Sequence, residues 1–225
     1  MTHQDGVMHG DAGSQHTVQL FDSSGSLADA VAAFLREGIS QGDSLLVVVR
    51  LEHWNLTAAR LTREELPLGD AIASGQLTVR DAERTLKFFL RDGSPDRVLF
   101  DDHVGGLIRR IATRGNRLRI YGDMVDILAC DGDFRATHRL EELWNELGER
   151  EPFTLLCGYS AVNFGHPRSA DALRLICRSH SHVRSNPHDT LGTYLLETNG
   201  VRASLSSASS EQRSLRGCIG GRMPP

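Results

Sequence analysis

Apolar positions along the chain fall into short blocks whose spacing alternates between the periods of strands and helices. Thr17–Phe21 predicts a first strand, and Leu27, Val31, Phe34, Leu35 and Ile39 give a helical stripe after Ser26-x-x-Asp29, which has the form of a capping box. Leu45–Val49 is apolar at every position, as a parallel strand covered on both faces should be. Glu52–Leu61 reads as a weaker helix, Leu77–Val79 as a short strand and Ala82–Leu90 as a helix. Ser94-Pro95-Asp96 predicts another helix start, with proline at the first helical position, and its stripe is Val104, Leu107, Ile108 and Ile111. Leu118 and Ile120 alternate with arginines, and Met124, Val125, Ile127 and Leu128 crowd a short helix that stops at Gly132. Leu140, Leu143, Trp144 and Leu147 fall at i, i+3, i+4 and i+7, one helical face. Phe153–Tyr159 reads as a buried strand, and Ser169 caps a last helix bearing Leu173, Ile176, Cys177 and His180. Five strands separated by helices predict a three-layer α/β fold with a mainly parallel sheet. Val18, Leu20, Leu46, Val48, Leu118, Ile120, Leu155 and Cys157 are expected at its centre.

The period is present only in the middle of the chain. Residues 1–14 are polar and rich in Gly and His, and are expected to be disordered. Residues 15–183 form the predicted domain, and 184–225 a linker and Ser/Gly/Arg-rich tail, in which Leu191–Leu196 offers the start of one more helix. The tail leaves open a relative shortened at its output end. A net charge of −4 gives no basic stripe for nucleic acid, so direct nucleic-acid binding is not expected. No apolar run of membrane length and no secretory leader occurs, so a cytoplasmic protein is expected. Cys130, Cys157, Cys177 and Cys218 are widely spaced, without C-x-x-C, and read as reduced thiols.

The opening unit, strand–loop–helix–GxxxGD–strand, has the shape of a RecA/KaiC-type start. Its loop, Asp22-Ser23-Ser24-Gly25-Ser26, holds one glycine and no lysine, and the chain's only lysine is Lys87. The Walker A site that such a loop would carry is therefore absent, and no cofactor is expected.

Residues 117–160 carry a more specific signal. The combination of R-x-Y-G-D-M-V, L-E-E-L-W-N-E-L and L-L-C-G-Y resembles the MEDS domain, a sensory domain named from methanogens, methylotrophs and the DcmR repressor. The family usually has Glu where this chain has Asp123. The likeness extends more loosely from His16 to about Val183. It implies a RecA/KaiC-like core that has lost its nucleotide loop, and a small-molecule sensor acting on a signalling or transcriptional output protein. The ligand it implies is a small organic compound such as a hydrocarbon derivative. The oligomeric state, including a homo-oligomer, stays open.

Other chemistries compete with that reading. Cys177-x-x-His180-x-His182 with Cys157 has zinc-ligand residue types, but His182 falls about 140° round the helix from Cys177 at ~100° per residue. A core histidine beside a small thiol is preferred, and no metal is expected. Cys157 with His180 as base would suit a hydrolase on a degenerate P-loop scaffold, the alternative function, but no nucleophile elbow frames it. Glu141, Glu142 and Glu146 read as a solvated face. Open α/β sheets bind ligands beyond the carboxyl ends of their strands, which selects Asp22, Arg50, Tyr121, Asp123 and Tyr159, with Trp54 close by, as candidate ligand-binding residues. Asp123 could equally cap the helix it opens, and Trp54 could equally cover core. None of these residues forms a catalytic constellation.

Overall fold

The computed structural model describes residues 14–205. Seven strands, all paired in parallel, form one sheet: β1 (Gln15–Phe21), β2 (Ser44–Val49), β3 (Leu77–Asp81), β4 (Leu118–Gly122), β5 (Thr154–Ser160), β6 (His182–Ser185) and β7 (Ser204–Leu205). Their spatial order is β3-β2-β4-β5-β1-β6-β7, which buries β2 and β1 among neighbours. Every residue of β2 is buried, as an all-apolar central strand requires.

Helices cover both faces. Helix α1 (Ser24–Ser40), α2 (Leu51–Arg63) and α3 (Leu68–Ala73) pack on one face with Leu45, Val47, Val49, Tyr121 and Leu156. The opposite face carries Val18, Leu20, Leu46, Val48, Leu118, Ile120, Leu155, Cys157 and Tyr159. Against it lie α4 (Ala82–Phe89), α5 (Arg97–Phe100), α6 (Gly106–Ala112), α7 (Met124–Cys130), α8 (Phe134–Gly148), α9 (Ala170–Arg178) and α10 (Thr190–Thr198). This is the three-layer α/β fold that the alternating periods predict, and the eight expected sheet residues all lie in this second core.

Several boundaries differ for local reasons. The capping box of α1 begins at Ser23: its hydroxyl accepts from Ser26 N–H, and Ser26 Oγ accepts from Ser23 N–H. Ser94 and Pro95 belong to a two-residue hairpin with Leu90 and Arg91, so the next helix starts after Asp96, whose carboxylate accepts from Leu99 N–H. A π turn, Asp101–Gly105, then joins α5 to α6.

The compact region also continues beyond Val183. Strand β6 pairs with β1, and α10 buries Leu195 and Leu196. Asp22, at the end of β1, accepts from the N–H groups of Leu191 and Gly192, both at 2.7 Å, and so fixes the start of α10. That capping lets a short, weakly periodic segment order. Asp22→Ala should lower stability by about 1–2 kcal/mol, the usual cost of a lost cap, read as a shift of the urea midpoint. Residues 1–13 of the stretch 1–14 expected to be disordered, and residues 206–225 of the tail with Cys218, lie outside the described residues. Cys130, Cys157 and Cys177 are free thiols.

Candidate functional site

At the carboxyl edge of the sheet the structure brings some of the sequence-predicted residues together. Arg50, just past β2, donates from its backbone N–H to Asp123 Oδ1 at 3.1 Å, and its guanidinium bonds Asp126. Asp123 also accepts from His53 Nδ1 at 2.8 Å, with its side chain fully buried. Asp126 accepts from Ser160 N–H and Asn163 Nδ2, both at 2.7 Å. The Asp123 carboxylate makes no cap bond to α7, although the residue occupies the N-cap position; it reaches across to α2 instead. Burial of itself would lower the Arg50 guanidinium, but the two aspartates outweigh this and raise it. Trp54 stands partly buried on α2 beside the first core, while Asp22 is occupied with α10.

The two tyrosines do not meet. Tyr121 lies in the core under α1, with its hydroxyl over Gly158, where a Cβ would approach it to 2.8 Å. Tyr159 points to the other face and donates to Glu141 Oε1 at 2.5 Å. The two tyrosines selected from sequence therefore lie on opposite faces of the sheet.

Tyr159 leads to a second cluster. His16 on β1, Glu141 on α8, Cys157 on β5 and His180 after α9 bring their donor atoms within 4.8 Å of one another, all buried. His16 Nε2 lies 3.2 Å from both Glu141 Oε2 and Cys157 Sγ, and His180 Nε2 lies 3.4 Å from Glu141 Oε1. Glu141, read from sequence as part of a solvated face, has no exposed surface. Burial alone would push its carboxyl up, yet the two histidines hold it well below the usual carboxylate range. Burial would likewise depress His16, but Glu141 and Asn145 leave it raised. The Cys157 thiol is pushed well up by burial and then by Glu141, so it stays protonated at neutral pH unless a cation compensates. Such a thiol is a poor nucleophile.

Both histidines are fixed in orientation. Asn145 Nδ2 donates to the Ser179 carbonyl at 3.1 Å, which leaves its Oδ1 to accept from His16 Nδ1 at 2.8 Å. His180 Nδ1 donates to the Ile176 carbonyl at 2.7 Å. Each Nε2 is thereby turned toward Glu141. The zinc set considered from sequence is not assembled: His182 is exposed and Cys177 is absent from the cluster.

A cleft of about 400 Å³ reaches this cluster from the amino edge of the sheet. Ser14, His16, Trp144, Asn145, Gly148, Glu149 and Phe153 line it. His16 and Asn145 thus belong both to the cleft and to the buried network. Among the described residues, no helix is long and apolar enough to cross a membrane.

No curated protein matches the chain closely enough to count as a relative. The family described as MEDS, MEthanogen/methylotroph, DcmR Sensory domain, matches residues 15–180. That span takes in β1 through α9, together with His16, Glu141, Cys157 and His180, and the chain belongs to the MEDS family of sensory domains.

Proposed function

We propose that this chain is a non-catalytic input domain that binds a small organic molecule in the cleft at the amino edge of the sheet. It would pass the binding event to an output protein in transcriptional or two-component-type regulation. The cleft floored by His16 and Asn145 is the observation that carries this reading. Its volume suits a small compound, and it combines aromatic surface from Trp144 and Phe153 with convergent polar groups. Asn145 ties His16 to Ser179 at the end of α9, so a ligand that displaced either side chain would act on the contact between α8 and α9. Family membership supports the sensory role.

Hydrolysis by Cys157 is the weaker reading, because a thiol held protonated beside a carboxylate is poorly prepared to attack. Nucleotide binding is disfavoured too. Asp22 is committed to α10 and Ser23 to α1, and the loop carries no lysine to hold a phosphate. Titration with Mg-ATP should give no saturable isotherm in the micromolar range; a saturable one would show a phosphate site that the loop does not reveal.

A thermal-shift screen of small alcohols, aldehydes, carboxylates and halogenated hydrocarbons tests the central reading. A ligand at 100 times its Kd should stabilise the fold by about 2.7 kcal/mol. Ser14→Trp, which fills the mouth of the cleft from an exposed position, should abolish the shift. A shift that survives this substitution would place the ligand elsewhere.

A further inference from the structure

We propose that His16, Glu141, Cys157 and His180 form a site for one divalent transition-metal ion of the zinc class. This goes beyond the organic-ligand reading and is measurable without such a ligand. A tetrahedral ion with bonds of about 2.0–2.3 Å needs donor atoms roughly 3.3–3.7 Å apart. The structure provides His16 Nε2 at 3.2 Å from Glu141 Oε2, His180 Nε2 at 3.4 Å from Glu141 Oε1, and Cys157 Sγ at 3.9 Å from Glu141 Oε2. His16 Nε2 stands 3.2 Å from Cys157 Sγ.

The protonation pattern supports the same site. Hydrogen bonds to Asn145 Oδ1 and the Ile176 carbonyl place the Nδ1 protons outward. In a neutral imidazole the Nε2 lone pair then faces the centre of the cluster, as it does in metal-binding histidines whose other nitrogen is held by a carbonyl or amide. His180 Nε2 makes no hydrogen bond, although its side chain is fully buried. A lone pair facing a carboxylate is repulsive unless a proton or a metal cation stands between them. A divalent ion supplies that cation, and with one carboxylate and one thiolate the buried site is neutral overall. On coordination the sulfur–metal bond forms as the thiol proton leaves to solvent, so binding releases protons. Nitrogen and sulfur donors favour zinc-class ions over magnesium or calcium.

The test is cobalt titration of the full chain, reduced and stripped by chelator. One equivalent of Co²⁺ should produce a near-ultraviolet thiolate-to-cobalt band with the intense visible bands of a tetrahedral ion, and Zn²⁺ should displace it. Cys157→Ser should remove the near-ultraviolet band, whereas Cys130→Ser and Cys177→Ser should retain it. Asn145→Ala, which frees His16 Nδ1 without removing a ligand, should weaken binding by about 10–100-fold, with circular dichroism confirming the fold. Absence of a thiolate band in the parent protein would overturn the proposal, whether or not Cys157→Ser folds. So would a band that persists in folded Cys157→Ser, or unchanged affinity in folded Asn145→Ala.

Discussion

Glu141→Leu is expected to destabilise the domain by about 3 kcal/mol, the low end of the range for breaking a buried ion pair. Two losses contribute. Tyr159 loses the acceptor of its hydroxyl, and His16 loses the carboxylate beside Nε2. The figure stays low in the range because His16 can shed a proton instead of remaining as an unpaired buried charge. The pH dependence of the parent follows from the shifts. Glu141, depressed in the fold, contributes stability that is present above its ordinary value of 4.5 and is lost as pH falls through the lower folded value. His16, raised in the fold, contributes stability that is complete below 6.5 and is lost as pH rises through the higher folded value. In metal-free protein, Glu141→Leu should therefore cost most between about pH 4.5 and 6.5, and urea melts across that window read it out. An equal cost at every pH would mean that Glu141 acts by packing alone.

Trp144→Ala is expected to cost more, about 3–5 kcal/mol, as for large aromatic truncations in cores. Trp144 is 1% exposed and meets the rings of Phe100 and Phe153 edge-on, at centroid distances of 5.2 and 6.1 Å. It therefore joins α5, α8 and the entry to β5. One edge of the ring also borders the cleft, so its loss should weaken ligand binding along with the fold. A variant that melts like the parent would show that the three elements hold together without this ring.

The layers were legible because the apolar periods were clean. Leu45–Val49 declared a central strand, and the Leu140/Trp144 stripe declared the buried side of α8. The site was harder to see. In sequence Glu141 sits beside the stripe and looks solvated, yet Thr137, Glu141 and Asn145 recur at i, i+4 and i+8 as a polar line along the flank of the apolar face. Thr137 and Glu141 are both fully buried. That line was the available signal. Strand phase held another: Tyr159 is in step with Leu155 and Cys157, whereas Tyr121 is out of step with Leu118 and Ile120, so the two rings had to face opposite sides. His16 shares the phase of Val18 and Leu20 and so belonged to the core. What sequence could not supply was the convergence of β1, α8, β5 and the end of α9, which depends on long-range parallel pairing.

The two tryptophans of the chain report on the two ends of the sheet. Trp144 borders the amino-edge cleft, and Trp54 lies on α2, the helix that Arg50 caps and whose His53 meets Asp123. A fluorescence titration of Trp54→Phe, which leaves Trp144 as the only tryptophan, with a compound found in the thermal-shift screen, is the most direct test of where the ligand binds. The account predicts a saturable change in Trp144 emission, at concentrations that also raise the melting temperature. A silent Trp144, with saturable emission changes from Trp54 in the reciprocal Trp144→Phe protein, would contradict it and move the ligand to the carboxyl edge.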